Sequence, residues 1–425
     1  MTIQEAPLDL NALMTTLGKA ARKASYQLAS LSPAIKNAAL LAMAEEFSAN
    51  QAEIIRENEQ DLQSALEKGL SPAMIDRLRL DEKAIAGLCK AVREIAALDD
   101  PIGQLENIRV RPNGLRLGHM RAPIGVIGII YESRPNVTVD AGALCLKSGN
   151  AVILRGGSEA VFSNRSLARL MNQACQKSGV PEGAIQLIPT QDRAAVGELL
   201  KADEYVDLII PRGGKDLIRR ITQDSIIPVI KHLDGNCFVY VDEFADLEMA
   251  LPIVINAKTH RTGVCNATET LLVHQAVADQ FMPLCLNKLL ELGVEIRGCQ
   301  KTQAYDSRVV PATDADWDEE YLAMILAVKV IDSFESAVEF INKHSSGHTE
   351  AIISNHHSRV MAFTRSIDSA CVHVNCSTRF SDGGEYGLGA EIGISTNKLH
   401  ARGPMGLREL TTAKWICLGE GQIRH

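Results

Sequence analysis

At 425 residues the chain exceeds what one hydrophobic core usually organises, so two or three domains are expected. A formal net charge of −8, with no block of basic residues, argues against a nucleic acid or an anionic membrane surface as partner. Ordinary hydrophobic content with few aromatics suits a soluble enzyme rich in Ala, Leu, Ile and Val. Met1 to Met14 contains acids and lacks a basic n-region, so no secretory signal is read there. The longest apolar run, Ala122 to Tyr131, is too short to span a bilayer and ends at Glu132. The ten cysteines are irregularly spaced in a chain too large to need disulfides, which points to reduced thiols and a cytoplasmic location.

Residues 8 to 100 read as helices. Ser32-Pro33 and Ser71-Pro72 are each an N-cap followed by proline at the first helical position, and Gly69 can end the helix before the second. Ala39, Leu40, Met43 and Phe47 share one helical face. "IRVRPNGLRLGHMR" then alternates around Asn113-Gly114, a dipeptide suited to a tight hairpin turn. The ribbon reads as half exposed, and either pairs with another subunit or lies on a monomer surface. From Pro123 to Tyr240 the short apolar runs "IGVIGII", "AVILRG", "AIQLIP", "VDLIIP" and "FVYVD" alternate with helices such as 159–177 and 191–201. A second alternating series from Leu251 holds "TETLLVH", "GVEIRG", "AVKVID", "EAIIS" and "CVHVN". The class is α/β, with two open parallel-sheet lobes and a boundary near Leu233 to Asn236.

Among the cysteines, Cys265 stands apart. It follows His260, Arg261, Thr262 and Gly263 on a polar loop and leads into the strand Thr268 to Val273. That setting suits a thiolate nucleophile, and a buried packing cysteine is the alternative. Two glycine turns follow strands in the first lobe. "ILRGGSE" offers Arg155, Gly156, Gly157 and Ser158, and "IIPRGGKDLIRR" offers Arg212, Gly213 and Gly214 before a helix start. Each is either a plain strand-to-helix turn or a phosphate cradle, and the pair leans toward a phosphate-rich cofactor. Further on, "EEYL" places Glu319 and Glu320 before a strand, and "NKHSSGHTEAII" carries His344, His348 and Glu350. Lys398, Arg402 and Arg408 form a basic loop that either binds an anionic substrate or solvates a surface. Cys371, His373 and Cys376 have a metal-like look, but "ACVHVN" alternates as a strand and no second ligand pair follows, so no metal site is expected.

In order, these segments resemble the aldehyde dehydrogenase superfamily over nearly the whole chain. "GVCNATETLLV" resembles its nucleophile segment, with Cys265 in the thiolate position. "PIGVIGII" and "SGNAVILRGGSE" resemble its first and cofactor-binding strands. The resemblance puts Arg155 where the family generally has a ribose-binding lysine, and Glu320 where a glutamate holds the nicotinamide ribose. "YESRPNVT", "AVEFINKHSSGHTEAII" and "RGPMGLRELTTAKW" are similar to the branch that reduces L-glutamyl 5-phosphate in proline biosynthesis.

That resemblance implies NADPH-dependent reduction to L-glutamate 5-semialdehyde with release of phosphate, through a thioester on Cys265. It implies cofactor contacts from Arg155, Gly156, Gly157, Ser158, Arg212, Gly213, Gly214 and Glu320. It implies substrate contacts from Arg134, Asn136, His344, His348, Glu350 and Arg402. The domains implied are a cofactor-binding domain over 1–105 and 121–233 and a catalytic domain over 234–406. A hairpin (106–120) and a C-terminal strand (407–425) would serve oligomerisation in a homo-oligomer, with glutamate 5-kinase a candidate partner. "KHLDGN" puts His232 near the position of the family's general-base glutamate, so the water-activating role does not carry over. A reductase that starts from an acyl phosphate must keep its thioester from water. "YESRPN" also lacks the family's tryptophan-asparagine pair, which leaves the backbone N–H of Cys265 as an oxyanion donor. Two alternatives stand beside this reading: another acyl-phosphate or acyl-CoA reductase of the same fold, and a catalytically silent nucleotide-binding scaffold.

Overall fold

A computed structural model describes residues 9–424, which fall into two compact units. Of these, the first comprises residues 9–231, 388–393 and 405–424; the second comprises His232–Gly387 and Ile394–Pro404.

The first unit opens with helices α1 (Leu10–Leu28), α2 (Pro33–Ala49), α3 (Gln51–Glu67), α4 (Pro72–Leu78) and α5 (Glu82–Ala97). Their ends follow local chemistry. Ser32 Oγ accepts from the N–H of Ile35 and Ser71 Oγ from that of Met74, with proline at each first position. Gly69, at φ +68°, ends α3: its N–H donates to Leu66 and that of Leu70 to Ala65, the paired bonds of a Schellman cap. Ala39, Leu40, Met43 and Phe47 are fully buried. Lys36 continues the same face and is equally buried, paired with Asp100. The hairpin β1 (Leu105–Val110) and β2 (Arg116–Pro123) closes through Pro112, Asn113 and Gly114. Gly114 lies at φ +84° with its N–H bonded to Arg111, so the loop has three residues and a left-handed glycine. Strands β3 (Val126–Tyr131), β4 (Ala151–Arg155), β5 (Ile185–Leu187) and β6 (Leu208–Arg212) then form a parallel sheet in the order β5-β4-β3-β6. The chain turns back from β5 to β6 on the other side of β3, which opens a crevice at the carboxyl ends of the strands. Helices α6 (Asn136–Lys147), α7 (Val161–Lys177), α8 (Ala194–Leu200) and α9 (Lys215–Asp224) connect them.

The second unit is built on a seven-stranded parallel sheet. Its strands are β7 (Cys237–Val241), β8 (Thr268–His274), β9 (Glu295–Gly298), β10 (Val310–Pro311), β11 (Ile325–Ile331), β12 (Thr349–Ile353) and β13 (Cys371–Val374). They lie in the order β10-β9-β11-β8-β7-β12-β13. One face packs on helices α10 (Leu247–Thr259) and α11 (Gln275–Glu291) through Val254, Leu271, Phe281, Leu286 and Val328. Phe238, Tyr240, Phe334 and Phe363 fill the other. Burial on both faces explains why these strands read as continuous apolar runs. Two short strands, β14 (Gly393–Ser395) and β15 (Gly403–Met405), pair with each other. A final strand, β16 (Thr411–Leu418), joins β2 antiparallel to complete a three-stranded sheet with β1. No helix among the described residues is long and apolar enough to cross a membrane.

Candidate active site

Strands β8, β7 and β12 are neighbours and run parallel, so the segments that lead into them converge on one edge of the second unit's sheet. Cys265 sits in the turn before β8, His232 in the loop before β7, and His348 immediately before β12. The Cys265 Sγ and one ring nitrogen of each histidine lie within 4.8 Å of one another. The two rings meet edge to face at 5.5 Å.

Each partner is fixed by its surroundings. His232 Nδ1 lies 2.9 Å from the carbonyl oxygen of Ile394. A carbonyl only accepts, so this nitrogen carries the proton and Nε2 keeps the lone pair. His348 is fully buried, its Nδ1 2.8 Å from Thr349 Oγ1 and its Nε2 without a hydrogen-bond partner. Burial, with His232 and His373 nearby, pushes its pKa down to about 3, so the ring is neutral. The Cys265 segment is pinned from three sides. Cys237 Sγ donates to the carbonyl of Cys265, and Asn266 Nδ2 donates to that of Ser381. A Cβ on Gly235 would lie 1.9 Å from the Cys265 oxygen, so only glycine lets the His232 loop pass there. Glu320 Oε1 accepts from the N–H of Gly235 and ties that loop to the segment before β11.

Arg379 adds charge. Burial and Arg261 hold its guanidinium below the usual range, while Asp382 and the Cys265 thiol pull the other way. Its Nε is buried without a hydrogen-bond partner. Cations beside a thiol favour the thiolate, and an unspent guanidinium N–H suits an anionic oxygen.

The first unit holds a cavity of about 300 Å³ at the carboxyl ends of β3, β4 and β6. Its wall includes Arg155, Gly157, Ser158, Glu159, Arg193 and Arg220. Arg155 is largely buried and donates to the carbonyls of Gly156 and Gln191 at 2.7 and 3.1 Å. Its Nε and Glu159 Oε2 are buried without hydrogen-bond partners.

The aldehyde dehydrogenase family model matches residues 2–304 and 307–416. The chain belongs to the aldehyde dehydrogenase family. A curated family member from Moorella thermoacetica, γ-glutamyl phosphate reductase, is 55% identical over 96% of this chain and 98% of its own. The enzyme of the same name from Caldanaerobacter subterraneus subsp. tengcongensis is 53% identical over 96% of this chain and 98% of its own. The crystal structure of γ-glutamyl phosphate reductase from Thermotoga maritima superposes with a TM-score of 0.95 at 45% identity, covering 97% of this chain and all of that one.

Several residues expected at an aldehyde dehydrogenase site have other work here. Glu350 is fully buried and accepts from the N–H of Phe238 at 2.7 Å and from Ser345 and Ser369. Burial pushes its pKa up to about 7. It closes the start of β7, where the register with β8 shifts, and offers no surface to a substrate. His348 is likewise enclosed, and faces the thiol instead of a charged end of a substrate. Arg402 and Lys398 both pair with Asp368, which offsets part of the positive charge of this loop. His344 Nδ1 lies 2.8 Å from Asp318 Oδ1. The N–H of Gly214, expected to cradle phosphate, donates to Glu132 Oε2 at 2.9 Å. Gly213 abuts the same carboxylate, and Arg212 lies against Gly393. Arg134 and Asn136 are exposed at the start of α6, Asn136 donating to Asp140. Ser158 does line the first unit's cavity, but so does Glu159. The sequence reading overlooked Arg379; its signal is an arginine in "CSTRFSDG", a polar turn after a strand.

Proposed function

We propose that this protein reduces L-glutamyl 5-phosphate to L-glutamate 5-semialdehyde with release of phosphate, using NADPH. The observation that carries this is a thiol set against two imidazoles, on a chain matched end to end by proteins named γ-glutamyl phosphate reductase.

Cys265 as thiolate attacks the acyl carbon; the C–O bond to the phosphoryl group breaks, and phosphate leaves with the electron pair. Arg379 supports the thiolate and meets the phosphate oxygens. A nicotinamide dinucleotide supplies, when bound, the hydride that reduces the thioester carbon. The backbone N–H of Cys265 supports the oxyanion, whose collapse breaks the C–S bond and returns the thiolate. The cavity wall suits a phosphate-bearing nucleotide: Arg155, Arg193 and Arg220 supply cations, Gly157 permits close backbone approach, and Ser158 donates. The second glycine turn would bear on the nucleotide through the Glu132 loop it braces. The resemblance puts His232 near the position of the family's carboxylate base, consistent with a thioester that must outlast water.

The test is a coupled assay with the glutamate kinase product, comparing NADPH with NADH, on the native chain and Cys265→Ser. Native enzyme should consume NADPH faster, and Cys265→Ser should retain dinucleotide binding while losing nearly all turnover. Near-normal turnover by folded Cys265→Ser protein contradicts the covalent route. Oxidation of NADPH only with acyl-CoA substrates would favour a different reductase of the same fold.

A further inference from the structure

We propose that Cys265, His232 and His348 form a site for one soft divalent cation of the zinc class, and that its occupancy reversibly silences the thiol. The silencing rests on the reading of Cys265 as nucleophile; the binding does not.

Three observations carry the site. First, the sulfur and two ring nitrogens lie within 4.8 Å of one another, so a small inward adjustment brings them around an ion with bonds of about 2.0–2.3 Å. Thiolate with imidazole is a set that selects zinc over magnesium or calcium, and three protein ligands leave a fourth position for water. Second, both rings carry the outer support typical of metal-bound histidines. The Nδ1–H of His232 is spent on the Ile394 carbonyl, and Nδ1 of His348 lies 2.8 Å from Thr349 Oγ1, which can accept its proton and so leave Nε2 a lone pair. Third, His348 Nε2 is buried without a hydrogen-bond partner, on a side chain with 0% exposure. In that tautomer Nε2 is a buried lone pair with no hydrogen-bond partner, which suits it to hold a cation. Arg379 favours the thiolate, the form that binds metal. An ion held by this sulfur removes the electron pair that attacks an acyl carbon, so acyl transfer stops until a chelator strips it.

The experiment uses the whole chain, reduced and freed of chelator, titrated with cobalt(II) chloride as a spectroscopic probe and then with zinc chloride. One equivalent of cobalt should raise a thiolate-to-cobalt charge-transfer band with the visible bands of tetrahedral coordination, and zinc should bleach both. Cys265→Ser should abolish the charge-transfer band. His348→Asn and His232→Asn should each weaken binding by tenfold or more, since losing even an outer partner typically costs about 10–100-fold. His232 is half-buried, so its variant keeps the test decisive if His348→Asn fails to fold. Zinc should inhibit turnover over the range that bleaches the band, and a chelator should restore it. A band that survives both histidine variants, or no stoichiometric binding, overturns the site. Persistent turnover by zinc-loaded protein whose band depends on Cys265 leaves the site standing and overturns the nucleophile assignment instead.

Discussion

Arg155 does two things at once in the first unit's cavity. Its terminal nitrogens clamp the carbonyls of Gly156 and Gln191, while its guanidinium forms part of the wall. From the sequence, Arg155 with the Ser158 hydroxyl suits a 2′-phosphate, provided Ser158 and not its neighbour Glu159 faces the site. The structure puts Glu159 in the same wall, where it would repel that phosphate. Discrimination therefore falls to the exposed rim cation Arg193 more than to Arg155. Arg155→Ala should raise KM for NADPH and NADH by similar factors of about ten, the worth of a charge-assisted bond of roughly 1.5 kcal/mol. Arg193→Ala should raise KM for NADPH alone. Steady-state kinetics with both cofactors decides this, and a selective NADPH loss in Arg155→Ala restores the simpler reading. Cys265 stands out in the sequence because a cysteine on a polar loop before a strand is a poor packing residue. Its companions do not: His232 and His348 lie more than a hundred residues apart, and spacing does not say that two loops share an edge.

Among the elements, the helices were readable because caps and stripes are local. Ser32, Ser71 and Gly69 act where their chemistry says they should. The strands were readable as apolar runs, which is why the α/β class follows from alternation alone. Strand order was not, because β8, β7 and β12 become neighbours through crossovers that composition does not record. The hairpin turn was placed correctly at Gly114, with one residue more in its loop than the Asn-Gly pair suggests. A lysine also hides in the buried stripe of α2. Lys36 pairs with Asp100 and donates to the carbonyl of Lys147, whose own ammonium donates to Asn37 and Ala96. This network ties α2, α5 and α6 together. Lys36→Met strands the Asp100 carboxylate and should cost about 3–5 kcal/mol, read as a drop in Tm. Lys36→Met with Asp100→Asn should recover at least half, since Asn retains the acceptor for the Ile102 N–H. No recovery in the double variant would show that packing, not charge, holds this junction.

For the molecule as a whole, the account turns on what the acyl group on Cys265 can and cannot react with. A reductase fed by an acyl phosphate is the reverse of an enzyme that makes one, so phosphate should be the only efficient acceptor for the acyl-enzyme. The histidine in place of a carboxylate near the thiol fits that demand, with its Nδ1–H anchored to Ile394. The decisive measurement is therefore NADPH formation from glutamate 5-semialdehyde and NADP⁺, with and without inorganic phosphate. Without phosphate the account predicts a burst of about one turnover per site and then silence, as the thioester accumulates on Cys265. With phosphate, steady turnover should follow. Steady NADPH formation without phosphate or arsenate would contradict the account, because water would then be reaching the thioester with His232 as its activating base.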